Sequence, residues 1–186
     1  MSTTGSVQII GIAGSLRQGS FNRAVLRAAQ ELAPDGMRIN SFDIAPIPPY
    51  NEDVRQQGFP PPVEDLRNRI TAADGLLIVT PEYNYSIPGV LKNAIDWASR
   101  PPGQPFDAKP IALMGASPGM MGTGRAQYHL RQCFVYLNGL VMNRPEVMVP
   151  AAQNKFDATG ALTDQPTREF IAAHLAALKA WVLRLR

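Results

Sequence analysis

The feature that most limits what this chain can become is the regular alternation of two periodicities. Short apolar runs ending in small residues recur along it, and each is followed by a longer segment whose apolar residues repeat every three to four positions. The runs are Val7–Ile12, Met37–Phe42, Gly75–Thr80, Pro110–Ala116 and Glu146–Val149. They read as strands, three of them nearly continuous in apolar residues, as strands buried on both faces are. The intervening stripes predict helices over Ser20–Ala33, around Val63–Ala73, from Pro88 to Ala98, up to Asn138, and over Thr167–Leu185. Parallel strands need long crossovers, which a helix supplies. Five strands alternating with five helices therefore predict an α/β, doubly wound fold: one parallel sheet with helices on both faces.

The chain has 186 residues, 45% of them hydrophobic and 18% charged. At roughly 150 residues per domain this is one globular domain over residues 1–186, with no separate linker or repeat. Its 15 glycines and 17 prolines predict many shaped loops. The longest, Ile44–Pro62, shows no periodicity and reads as a stiff surface loop. A net charge of +3 with scattered signs gives no reason to invoke nucleic acid. One cysteine excludes a disulfide framework and a multi-cysteine metal site, and no metal is expected. The opening residues lack the basic and apolar pattern of a signal peptide, and no apolar run approaches membrane-spanning length. A soluble, cytoplasmic protein is the expectation.

In open α/β sheets ligands bind beyond the carboxyl ends of the strands. Here those ends are loops at 13–22, 81–87 and 117–124, all rich in Gly, Ser and Asn. The first, Gly14-Ser-Leu-Arg-Gln-Gly-Ser-Phe-Asn22, sets Ser15, Arg17, Ser20 and Asn22 at a helix start, where unpaired N–H groups and the helix dipole attract an anion. Arg23 strengthens this reading, since a cation in a first helical turn is unfavourable without an anion nearby. Neither Gly-Lys-Ser/Thr nor Gly-x-Gly-x-x-Gly occurs here, so a terminal monophosphate fits better than a triphosphate. The structural alternative is a serine-capped helix after a polar loop. The second loop, Pro81-Glu-Tyr-Asn-Tyr-Ser86, offers aromatic faces and amide edges suited to a flat heteroaromatic ring, or else is an ordinary turn. The third contains Gly115-Ala-Ser-Pro-Gly119, a literal match to the nucleophile elbow of serine hydrolases. Against that reading, Pro118 and further glycines delay the helix, and His174 is the downstream histidine available. A glycine turn that lets backbone N–H groups approach a ligand explains the residues better.

Read together, Gly-Ser-Leu-Arg at 14–17 with Ser20 and Asn22, Thr80-Pro-Glu-Tyr-Asn84, Pro88-Gly-Val-Leu-Lys-Asn-Ala-Ile-Asp-Trp97 and Ser117-Pro-Gly119 resemble the NADPH-dependent FMN reductase family of flavodoxin-like proteins, specifically its quinone and chromate reductase branch. The resemblance implies a flavodoxin-like three-layer sandwich with a five-stranded parallel sheet. It implies FMN as cofactor, with Ser15, Arg17, Ser20 and Asn22 on the phosphate, Phe21 beside them, and the ring against Pro81, Glu82, Tyr83 and Asn84, with Ser117 at its other edge. NADPH or NADH would reduce the flavin, and a quinone, chromate, an azo compound or free flavin would reoxidise it from the same space. It further implies a homodimer or homotetramer, with Tyr50, Tyr85, Arg125, Tyr128 and Glu146 near subunit contacts and the loop around Tyr50 and Asn51 approaching a neighbour's flavin. No general acid or base is singled out, because the cofactor carries the difficult chemistry.

Two other functions remain as alternatives: a flavodoxin-type carrier serving protein partners, and a serine hydrolase built on Ser117. Other polar residues take structural readings. Cys133 is expected to act as a small core hydrophobe, His129 as a surface or interface residue, His174 as packing at a helix boundary, and Arg100 as a helix cap. Met120 and Met121 could line a substrate mouth.

Overall fold

The computed structural model describes residues 6–186. The opening residues from which the absence of a leader was read lie outside that range, apart from Ser6. The elements follow one another as β1 (Val7–Ala13), α1 (Phe21–Glu31), β2 (Met37–Phe42), α2 (Glu52–Arg55), α3 (Pro61–Ala72), β3 (Gly75–Val79), α4 (Gly89–Ala98), β4 (Pro110–Ala116), α5 (Gly124–Tyr136), β5 (Leu140–Val141), β6 (Val147–Val149) and α6 (Gln165–Leu185), with a 3-10 turn at Ala152–Asn154.

The strands form one parallel sheet in the order β2-β1-β3-β4-β5, with β6 also pairing β4. The expected α/β flavodoxin-like sandwich is therefore present. The alternation of side chains along each strand divides the core in two. Leu77 and Val79 of β3, with Ala112 and Met114 of β4, face α1 and α6 through Val25, Ala29, Leu175 and Val182. Leu76 and Ile78, with Ile111 and Leu113, face α3, α4 and α5 through Leu66, Ile70, Trp97 and Phe134. Every residue of β3 and β4 is buried, which is why these strands lack polar alternation in the sequence.

Two expectations need correction. The fifth sheet position holds not one strand but two short ones in succession: β5 against Pro110 and Ile111, then β6 against Met114–Ala116. Pro145 lies between them and has no N–H to give a ladder, so pairing lapses there. The long loop 44–62 is also not structureless. It contains α2, whose start is capped by Asn51 accepting from the Asp53 N–H at 2.9 Å, and it ends where Pro61 opens α3. A four-residue helix that buries none of its residues leaves no periodic trace. No helix among the described residues is long and apolar enough to cross a membrane.

Candidate functional site

At the carboxyl end of β1 the chain leaves the sheet at Gly14, whose N–H donates to Val79 O at 2.8 Å. A Cβ there would sit 3.0 Å from Leu91 and 3.2 Å from Thr80 Oγ1, so the loop hugs the sheet edge. It brings Ser15 and Ser20 into buried positions below the mouth of α1. Ser20 is the N-cap, accepting from the Asn22 N–H at 3.2 Å, and Ser15 Oγ accepts from the Arg17 N–H at 3.4 Å. Each hydroxyl thus keeps its own proton to donate. The first turn of α1 contains no acidic residue, and Arg17 extends into solvent at its edge.

Asn22 also has a task within the fold. Its buried amide bridges 94 residues to the end of β4, donating to Ala116 O at 2.9 Å and accepting from the Ala116 N–H at 2.8 Å. The side chain therefore fixes α1 against β4 at the edge of the cleft. Arg23 also has a protein partner, Asp43 at 3.7 Å, so no bound anion is needed to explain its place in the first turn.

Beyond β3, Thr80 Oγ1 donates to Pro81 O at 2.8 Å and shapes the start of the second loop. The Glu82 carboxylate points to α5, accepting from the Ala126 N–H at 3.0 Å and from Arg125 Nη1 at 3.4 Å. The next residues close a tight hairpin: Tyr83 and Ser86 exchange backbone hydrogen bonds of 3.1 and 2.9 Å, with Asn84 and Tyr85 both left-handed between them. Ser86 Oγ is 2.8 Å from His129 Nδ1, and the Arg125 guanidinium lies 4.0 Å from the Tyr85 ring centre.

At the end of β4 a Cβ on Gly115 would lie 2.1 Å from Thr80 O and 2.3 Å from Thr123 Oγ1, so this strand end admits only glycine. Ser117 Oγ accepts from the Gly119 N–H at 3.1 Å, and α5 does not begin until Gly124. His129 is paired with Ser86, while His174 is buried with Nδ1 2.7 Å from Pro145 O. Desolvation holds the His174 imidazole down at about 4, and its Nε2 is buried without a partner among the described residues. Neither histidine is a base for Ser117, and the glycine required at 115 accounts for the start of the elbow-like motif.

The three loops converge on one open cleft of about 110 Å³. Of the ten residues expected at a cofactor, it gathers all but Asn84: Ser15, Arg17, Ser20, Phe21 and Asn22 from the first loop, Pro81, Glu82 and Tyr83 from the second, and Ser117 from the third. Asn84 lies one residue farther, exposed on the hairpin tip. Sequence reasoning missed Ala116 and Pro118, which also line the cleft. It missed the ties from Glu82 and Asn22 as well, because partners 44 and 94 residues away leave no local pattern. Larger concavities occur elsewhere, including one of about 230 Å³ between α1 and β2, but the donors of three strand ends meet in the smaller one. Beside it, Phe21 stacks on Phe156 with ring centres 5.2 Å apart. Met120 and Met121 are 82% and 59% exposed on the third loop.

His129 lies exposed, as expected, but His174 packs in the middle of α6 and not at a helix boundary, held there by Pro145 O. Arg100 caps α4 through Asp96 O at 3.0 Å, and Cys133 is half-buried, its thiol pushed up chiefly by burial.

The profile of the NADPH-dependent FMN reductase family matches residues 7–154. An NAD(P)H-dependent FMN reductase of Pseudomonas aeruginosa is 59% identical over 180 residues, covering 97% of both chains. A quinone reductase of Escherichia coli is 48% identical over 183 residues, again covering 97% of both. Among solved structures, a flavoenzyme NAD(P)H:(acceptor) oxidoreductase from Paracoccus denitrificans superposes with a TM-score of 0.87 at 35% identity, over 96% of this chain and 98% of that one.

Proposed function

Because the chain belongs to the NADPH-dependent FMN reductase family, we propose that it is an FMN-dependent oxidoreductase that moves two electrons from NAD(P)H to quinones. The observation that carries the site is the convergence of three strand-end loops on one cleft, with buried hydroxyls and a helix start free of acidic residues on one side. That arrangement fits a phosphorylated flavin. The hydroxyls of Ser15 and Ser20 and the first N–H groups of α1 would hold the phosphate, with Arg17 closing over it from solvent. Pro81, Glu82, Tyr83, Asn84 and Ser117 would border the ring, Glu82 through its backbone and Asn22 by keeping α1 and β4 in register. Bound FMN supplies the two-electron chemistry between nicotinamide and acceptor. The chain's part is to fix the ring's edges and leave one face open, so that donor and acceptor use the same space in turn.

Chromate, azo compounds and free flavin belong to the same proposal as further acceptors. So does a homodimer or homotetramer: Tyr85 and Tyr128 are 69% and 56% exposed, and Tyr128 donates to Glu146 at 3.2 Å on the outer side of α5. Tyr50 is more enclosed, its ring edge-on to Trp97 at 4.8 Å and its hydroxyl on Glu52. Residues 1–186 as a single FMN-binding unit, and the cytoplasm as its compartment, rest on the sequence reading. Visible absorption without oxygen tests the proposal. A flavin band that bleaches on adding NADPH and returns on adding a quinone is the expected result. Failure of NADPH to bleach the band would favour a carrier, and failure to bind FMN would remove the cofactor.

A further inference from the structure

The hairpin tip at the cleft is held in a conformation its residues do not favour. Asn84 and Tyr85 have φ of 51° and 65°, and Tyr83 and Ser86 bracket them with two backbone hydrogen bonds, the arrangement of a type I′ turn. Such turns favour Asn then Gly, because both central residues must be left-handed. Asparagine suits the first place. Tyrosine at the second brings a Cβ into a region that disfavours one, and strained backbone persists only where its surroundings hold it.

Those surroundings come from one element. The start of α5 grips the turn at three points: the Ala126 N–H on the Glu82 carboxylate before it, the Arg125 guanidinium over the Tyr85 ring within it, and His129 on Ser86 at its end. We propose that His129 is a positioning residue for the flavin, locking the Tyr83–Ser86 turn through Ser86 so that the backbone bordering the ring is set before the cofactor arrives. This rests on the FMN reading above and extends it to a residue outside the cleft. A ligand that binds only the locked form has its apparent Kd divided by the fraction of chains in that form.

The test is FMN affinity, read by quenching of flavin fluorescence on the full chain. If unlocking leaves about a tenth of the chains competent, His129→Ala raises the Kd about tenfold, and Ser86→Ala does the same from the other partner. Tyr85→Gly turns the tip into Asn-Gly, which adopts the turn unaided. Added to His129→Ala, it should restore the Kd to within about threefold of wild type, a rescue that loss of a merely structural contact would not show. Unchanged Kd in both His129→Ala and Ser86→Ala, or no rescue by Tyr85→Gly, overturns the inference. A wild-type chain that binds no FMN instead overturns the FMN reading itself.

Discussion

At single residues the structure separates groups that face the cleft from groups that hold it together. Gly115 is the sharpest case, because the nearest atom to an added Cβ is a backbone oxygen that cannot swing away. Gly115→Ala should therefore destabilise the protein by more than about 2 kcal/mol, seen as a lower urea midpoint, and loosen FMN binding through the displaced ends of β3 and β4. A midpoint like wild type would show that the strand ends can part. His174 gives a second prediction, this one in pH. Its folded-state value of about 4 lies below the ordinary 6.5, chiefly from burial, with Arg131 opposing the charge too. The stability it contributes is complete above pH 6.5 and is lost as pH falls toward 4, because only the unfolded chain takes up the proton. The span corresponds to about 3 kcal/mol. His174→Asn keeps an N–H near the place of Nδ1 for Pro145 O but does not titrate, so its urea midpoint should fall less than wild type's between pH 7.5 and 5.

At the scale of elements, α1 and α5 each serve the site through a contact with a distant strand end. Removing the amide in Asn22→Ala leaves the buried N–H and C=O of Ala116 without partners, at a cost of about 2–4 kcal/mol. The urea midpoint should drop accordingly and FMN affinity fall with it, whereas an unchanged midpoint would mean that water replaces the amide. These contacts also mark the limit of what the sequence made legible. The runs at Met37–Phe42 and Pro110–Ala116 coincide with β2 and β4, because burial imposes its periodicity on adjacent residues. The gathering of three loops at one sheet edge follows from the same fold logic. The direction taken by Glu82 and Asn22 does not, since each depends on an element that arrives far later in the chain. The two-residue β5 and four-residue α2 are too short to carry a period at all.

For the whole molecule, cofactor binding and folding are expected to be one equilibrium. The cleft draws on loops after β1, β3 and β4, the strands that form the centre of the sheet and the two halves of the core. Unfolding must scatter them, so a ligand of the native cleft stabilises the entire chain, by about 2.7 kcal/mol at one hundred times its Kd. The phosphate cup proposed at the start of α1 makes this selective. Riboflavin has the ring of FMN but no phosphate, so it can use the second and third loops and not the charge-seeking start of α1. FMN should raise the melting temperature of the apoprotein by several degrees, and riboflavin at the same concentration by much less. Arg17→Gln should narrow that gap while leaving the riboflavin shift unchanged, because Arg17 is exposed at the edge of the cup and has no part in packing. Equal shifts from the two flavins would place the phosphate outside the α1 loop. A variant that lost both shifts together would show Arg17 acting on the ring.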